Sequence, residues 1–395
     1  MGELLKNRRF LAYLLTATCA DGGFWIAYVA QGWLVLKLTN SPFWLGIVAG
    51  SGQVPYAIFA LLGGSLADRF DRRRLVAGGN ALLAVLSYGT ALLVASDRIT
   101  IALLALLAFA AGTIIALEHP VDRAWLYDLV NGEQLGRAIA LSSLEWSVAR
   151  TLGPALGGVA IASFGVAAGY AAYGFALIPL VAFALALTLP RASGGARREP
   201  TAAVQREDAP QGVILPFSLL IATFTIGISP YIALLPDIAK NGLHLGASGY
   251  GLLSACGGAG AMAGALALIW LGESRRKGRI VTLAMFAGAL LLIAFTQTRD
   301  VRVAAALAFA MGAVDTCMYA LANTYVQECT RDDRRGRANG IFTLAFLGGI
   351  PVGNLALGVL AGRVGSDAAL AASAATCCLA CAVFWFAAPR AREAG

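Results

Sequence analysis

Two apolar runs, Pro42 to Ala67 and Leu75 to about Ala95, are joined by the turn Asp68-Arg69-Phe70-Asp71-Arg72-Arg73-Arg74, which is charged enough to require water. Each run reaches the roughly 20 residues that carry a helix across a bilayer, and within hydrocarbon a helix is the single-segment structure that satisfies its own backbone. The same alternation fills the rest of the chain. Predicted spans are Phe10–Leu36, Pro42–Ala67, Leu75–Ala95, Ile99–Val121, Ala138–Phe164 and Val166–Leu189, then Val213–Leu235, Ala247–Leu271, Ile280–Thr296, Val301–Val326, Ala338–Leu360 and Ala368–Ala388. Between the two sets lies a polar, Gly/Pro-containing and charged stretch that reads as a flexible linker. The expected architecture is an all-α membrane protein of twelve transmembrane helices in two pseudo-symmetric six-helix bundles. Residues 1–190 form the first, 191–212 the cytoplasmic linker and 213–395 the second.

Composition supports this and excludes much else. Hydrophobic residues are 58% of the 395 and charged residues 13%, about half the share that covers a soluble protein. The formal charge of +8 does not point to nucleic acid. Most of the Lys and Arg fall in turns on one side of the predicted spans. Lys37, Arg98, Lys240, Arg299, Arg302 and Arg363 make up the other side, and Arg150 lies within a span. That asymmetry places the arginine-rich side and both termini in the cytoplasm. The first apolar run is too long for a cleaved signal segment and carries Asp21, so it reads as an uncleaved first helix. Most cysteines sit inside spans, and Cys377-Cys378-x-x-Cys381 has no His or carboxylate beside it, so packing explains it and no metal is expected.

The halves repeat one another. At one constant offset Gly136-Arg137-Ala138 recurs as Gly336-Arg337-Ala338, Gly153 as Gly353, Gly158-Val159 as Gly358-Val359, and Gly165 as Gly365. Parallel repeats of six spans place a substrate at their interface, near the middle of the membrane.

The turn at 64–74, with its Gly-x-Leu-Ala-Asp-Arg-x-x-Arg-Arg pattern, resembles the signature loop of the major facilitator superfamily. A glycine is usual where Asp71 stands, and the Asp-Arg-Phe-Asp-Arg-Arg version resembles the branch of macrolide and siderophore (enterobactin-type) exporters. The resemblance implies a conformational latch built from Gly64, Asp68, Arg69, Arg72 and Arg73, in which Asp68 meets the start of the eleventh helix near Gly336-Arg337-Ala338. On the fifth span Gly153-Pro154-x-x-Gly157-Gly158 resembles the antiporter motif that marks exporters. Physically, the proline frees a carbonyl and bends the helix, and the glycines permit close packing.

Ionisable residues inside spans are costly, on the order of 2.5–3.5 kcal/mol each on insertion scales. Asp21, Glu118, Glu145, Arg150 and Asp315 therefore imply a wet interior or mutual pairing. Asp21, Trp25 and Tyr28 share a face of the first helix, as Asp315 and Tyr319 share one of the tenth. Glu145 and Arg150, five residues apart, do not share a face, and Arg150 is expected to meet an acid of another helix. Such faces suit an amphipathic, cationic substrate held by rings and carboxylates. Four acids against one arginine leave a carboxylate free to carry a proton. Asp21 is the first candidate for proton coupling, with Asp315 and Glu118 next. Trp25, Tyr28, Glu145, Arg150 and Tyr319 are candidates for the substrate cavity. Glu118-His119-Pro120-Val121-Asp122-Arg123 reads as a polar helix end. No nucleotide, hydrolase or redox motif is present, so no enzyme activity and no cofactor are expected. The expected function is proton-coupled export of a small amphipathic molecule such as a drug, siderophore or secondary metabolite, by a monomer in the bacterial inner membrane. Its partners are the substrate, protons and the bilayer. A metabolite importer or facilitator, or a non-transporting receptor, is the alternative.

Overall fold

The computed structural model describes residues 4, 7–130, 132–187, 214–271, 276–330 and 335–389. The expected linker, 191–212, lies outside them. The first half comprises α1 (Arg8–Thr39), α2 (Pro42–Arg69), α3 (Arg72–Ala95), α4 (Ile101–Leu129), α5 (Leu135–Phe164) and α6 (Val166–Ala186). The second comprises α7 (Ile214–Gly227), α8 (Tyr231–Asp237) with a π-turn over Ile238–Gly242, α9 (Ala247–Leu271), α10 (Lys277–Gln297), α11 (Val301–Glu328), α12 (Arg335–Leu347), α13 (Gly349–Val364) and α14 (Ser366–Ala387). Among the described residues, ten helical segments are long and apolar enough to cross a membrane. The two remaining long helices, α2 and α5, have 28 and 30 residues and pack among them. Counting α7–α8 and α12–α13 as one crossing each gives six crossings per half. The outer surface is apolar: Leu92, Phe164 and Phe386 are 71%, 79% and 83% exposed. Water would penalise such a surface and lipid does not.

Helix ends follow local chemistry. Asn7 caps α1 by accepting from the Arg9 and Phe10 amides, Asp71 caps α3 through Arg73, Thr100 caps α4, and Asp300 caps α11, each satisfying an orphan N–H of the first turn. The α5–α6 and α13–α14 turns pivot on Gly165 (φ 82°) and Gly365 (φ 86°), left-handed positions that a side chain would strain.

Where boundaries depart from expectation, the cause is visible. α4 continues through Pro120 to Leu129, two turns beyond the expected end, so Glu118 and Asp122 lie inside a helix. Two expected spans are broken instead of continuous. α7 stops at Gly227 before the turn Ile228-Ser229-Pro230, where the proline cannot donate. The Tyr231 amide turns to the Ile228 carbonyl, and the Gly227 carbonyl it leaves accepts from Ser373 Oγ at 2.6 Å. α12 stops at Leu347 before α13, and the Thr225 hydroxyl donates to the Ala345 carbonyl at 2.9 Å.

The repeat read from the sequence has contacts to match. Arg72 pairs with Asp128 at 3.0 Å in the first half, and Lys277 pairs with Glu328 at 2.9 Å in the second. Tyr13 meets Trp125 edge-on at 5.6 Å, and Phe217 meets Tyr325 at 4.3 Å. Asp128 and Glu328, and likewise Trp125 and Tyr325, are separated by the offset that relates the glycines.

Two helix pairs join the halves, α5 with α9 and α2 with α13, and the repeat exchanges one pair for the other. Both are glycine contacts. A Cβ on Gly158 would sit 3.0 Å from Gly251 Cα, and one on Gly358 would sit 2.7 Å from Gly46 Cα. Both contacts lie toward the end of the molecule where α1 finishes and α9 begins. At the same end, Trp33 stacks on Tyr250 at 6.5 Å, and Lys240 Nζ donates to Asn40 Oδ1 at 2.8 Å and to the Leu36 carbonyl at 3.4 Å. Toward the other end Trp146 and Tyr319 are 41% and 40% exposed beside the seam. The described contacts between the halves gather at the first end.

Candidate functional site

α5 runs along the seam between α1 and α9, and its glycines set both contacts. A Cβ on Gly153 would meet Trp25 Cβ at 2.6 Å and the Gly22 carbonyl, and one on Gly157 would meet the Ile26 backbone. Gly158 faces α9. Pro154 lacks the N–H that would bond the Arg150 carbonyl. Gly258 of α9 packs onto that freed oxygen, where an added Cβ would lie 2.5 Å away. The Gly153-Pro154-x-x-Gly157-Gly158 stretch thus lets α5 touch a helix of each half at backbone distance.

This packing brings two expected site residues together. The Asp21 and Glu145 carboxyls lie close enough between α1 and α5 to feel each other's charge. Glu145 is 8% exposed, and its Oε1 has no donor among the described residues.

Four residues along α1 from Asp21, the Arg150 guanidinium lies over the Trp25 ring, 5.7 Å from its centre. Phe24 (5.5 Å), Tyr28 (5.5 Å) and Trp146 (5.8 Å) surround the same indole, whose Nε1 is buried without a hydrogen-bond partner among the described residues. Arg150 makes no ion pair within 4.0 Å there. Its charge reaches Asp315 and Tyr231 in the second half, but it does not form the ion pair with an acid of another helix that the sequence led us to expect. Asp315 lines a small pocket with Phe224, Ser229, Tyr231 and Met311. Tyr319, one turn on, stacks on Phe346 at 4.4 Å and Phe342 at 6.2 Å of α12. Asp315 and Tyr319 thus serve different neighbours.

Glu118 turns into the first half, where Asn80 Nδ2 of α3 donates to its Oε1 at 3.0 Å. One turn further, Asp122 accepts from the Tyr13 hydroxyl at 2.9 and 3.1 Å. Tyr13, Asn80, Asp122, Trp146 and Tyr231 were not among the expected site residues. The spacing of Glu118 and Asp122 by one turn was their clearest signal, hidden by reading that stretch as a helix end.

In the arginine turn, Arg72 pairs with Asp128 and donates to the Ala124 carbonyl at 3.3 Å. Arg73 donates to the Leu187 carbonyl, and Arg69 is exposed. The side chains of Asp68, Gly336 and Arg337 lie outside the described residues, as does that of Gly64. Among the described residues no group of three or more His, Cys, Asp or Glu could hold a metal ion, and all seven cysteines are free thiols.

A family model described as transmembrane secretion effector matches residues 5–394. The enterobactin exporter of Salmonella typhimurium is 27% identical over 342 residues, 82% of this chain and 79% of that one. The staphyloferrin A transporter of Staphylococcus aureus is 29% identical over 36% of each chain. Among solved structures, a bacterial homologue of the human lysosomal transporter Spinster, inward-facing and unoccupied, superposes with a TM-score of 0.75 at 13% identity, covering 97% of both chains. A D-xylose–proton symporter superposes with a TM-score of 0.71 at 15% identity, covering 96% of this chain and 98% of that one. At such identities the structures report the shared fold.

Proposed function

Since the chain belongs to the transmembrane secretion effectors of the major facilitator superfamily, we propose that it is a proton-coupled exporter of a small amphipathic molecule, with the Asp21–Glu145 pair as its proton site. One observation carries the reading. Two carboxyls of neighbouring helices, Asp21 and Glu145, stand one helical turn from an aromatic and cationic shelf, at a seam whose described contacts gather at one end. A group that competes for the pair's proton exchanges with it, and exchange is what antiport requires. The halves, residues 1–190 and 213–395, rock about the α5–α9 and α2–α13 contacts, so the seam opens to one side at a time.

The arginine-rich turns set the end away from these contacts toward the cytoplasm, where an exporter loads its cargo. The α5 glycine-proline motif supports export, as do the relatives named as an enterobactin exporter and a staphyloferrin A transporter; siderophores are therefore among the substrates to test first. Asp315 is the second proton-coupling candidate, since it faces Arg150 and has no hydrogen-bond partner among the described residues. Glu118, bound to Asn80, is the third. In the outward-open state Asp68 latches the cytoplasmic ends against the start of α12, with Arg72 and Arg73 holding the turn to α4 and α6.

Accumulation of a fluorescent amphipathic dye in cells with and without the protein tests the function. Lower accumulation that a protonophore abolishes supports coupled export. Equal entry and exit rates insensitive to the protonophore would make the protein a facilitator.

A further inference from the structure

The site offers three kinds of recognition in one short span of the seam. At one level lie the Asp21 and Glu145 carboxyls, on neighbouring faces of α1 and α5. The charged and titratable groups facing this pair are Asp122, Arg123 and Glu118 of α4, Tyr13 of α1, Tyr56 of α2 and Tyr173 of α6. About 6 Å further along α1, one helical turn, Arg150 lies over Trp25 with no carboxylate within 4.0 Å among the described residues. Beside it is a donor without an acceptor there, Trp25 Nε1. Between and around the two levels are the rings of Phe24, Tyr28 and Trp146.

The other acids of the first half are engaged within it, Glu118 by Asn80 and Asp122 by Tyr13. They offer a cationic substrate little. A purely cationic substrate would leave Arg150 unused and would approach a like charge. A purely anionic one would meet the carboxyl pair, and protonation of the pair would favour its binding, the wrong sign for antiport. A molecule bearing both charges uses both levels.

We propose that the substrate is a zwitterionic amphipath, with a basic nitrogen and a carboxylate close together on an aromatic or apolar body. The inference rests on the reading of the seam as the transport site. The carboxylate docks on the Arg150 guanidinium. The ammonium docks on Asp21, the half-buried member of the pair, and displaces a proton carried there, which leaves to the cytoplasmic water. With hydrogen bonds of about 2.8 Å at each end, an amino-acid head bridges one helical turn.

Three probes with the same fluorophore separate the charges: Nε-dansyl-lysine (zwitterion), dansylcadaverine (cation) and dansylglycine (anion). Their binding to the purified full chain is measured by fluorescence at neutral pH, with size-exclusion and thermal melting to confirm folding. Dansyl-lysine binds about tenfold or more tighter than either other probe, as loss of one charge-assisted contact predicts. Arg150→Gln abolishes the preference for dansyl-lysine over dansylcadaverine without weakening dansylcadaverine, whereas Arg150→Lys recovers part of the difference. Asp21→Asn lowers dansyl-lysine to the level of dansylglycine. In weak buffer, dansyl-lysine and dansylcadaverine release protons and dansylglycine does not. The inference is overturned if dansylcadaverine matches dansyl-lysine, if Arg150→Gln has no effect on dansyl-lysine, or if dansyl-lysine fails to bind. Trp25→Ala separates the two levels of failure. Binding that withstands it places the substrate elsewhere and removes the seam reading as well. Binding weakened for all three probes, with no charge discrimination, removes the zwitterion alone.

Discussion

Gly251→Ala tests whether the α5–α9 contact closes the seam. The new Cβ would lie 2.8 Å from Gly158 Cα and 3.0 Å from Gly158 N, with the Pro154 carbonyl oxygen nearer still. Ordinary contact begins near 3.4 Å, and every atom in the way is backbone, so no rotamer change relieves the clash. The helices must part by about 1 Å, and overpacking of this kind costs about 1–3 kcal/mol. The cost falls on the state in which these ends touch. An alternative state populated at about 1% would gain 5- to 150-fold, rising to about 5–60%. Spin labels at Lys37 and His244, both exposed at the end where the contacts between the halves gather, report the separation in a variant lacking native cysteines. The parent gives one short distance, and Gly251→Ala adds a longer one. Gly89→Ala is the control: nothing lies within 4 Å of its Cβ, so it leaves the distribution unchanged and stabilises α3 by about 0.5–1 kcal/mol. A Gly251→Ala protein with the parent's distances and melting temperature would show that the α5–α9 contact does not determine closure.

Lys240→Gln removes a cation from the C-terminal turn of α1, where such charges contribute about 0.3–1 kcal/mol; the same labels should show a smaller shift in the same direction, one that added salt reproduces in the parent. Asp21→Asn or Glu145→Gln should abolish uphill export in vesicles while substrate exchange at equal concentrations persists; retained uphill transport in both would remove the pair from coupling. Lys277→Met should lower the melting temperature more than Arg72→Met, because the Lys277 side chain is 7% exposed against 30% for Arg72, and breaking a buried pair costs about 3–5 kcal/mol; equal losses would contradict that ranking.

The spans, the turns and the repeat were legible because lipid imposes length and periodic charge on a sequence directly. The α5 motif was legible for the same kind of reason, since Pro154 and its glycines act on the helix that carries them. The Asp21–Glu145 contact was not. It depends on how closely α1 approaches α5, which Gly153 and Gly157 decide together, and no local pattern states that Gly153 faces Trp25 and not lipid. The length of α4 was missed because Pro120 and the charges after it look like an ending. Inside the first half those charges find Tyr13 and Arg123, so the helix carries them without exposure to lipid.

The repeat also shows where the halves have diverged. In the first half α1 and α5 are continuous through the level of Trp25 and Arg150, and they hold the carboxyl pair and the guanidinium. Their counterparts in the second half break at that level, at Ile228-Ser229-Pro230 and at Gly348. Both breaks are stabilised locally: Ser373 takes the freed Gly227 carbonyl and Thr225 takes that of Ala345. A Cβ on Gly353 would meet the Pro230 ring at 2.6 Å, so the two interrupted crossings bear directly on each other. Charge recognition therefore belongs to a half whose helices are rigid there. Bending belongs to a half whose backbone is already interrupted and satisfied by side chains, so α8 and α13 can tilt without losing the α7 or α12 hydrogen bonds. Since α13 packs on α2 and the π-turn after α8 donates Lys240 to the end of α1, movement of these two segments would release the α2–α13 contact and the Lys240 contact to α1 together.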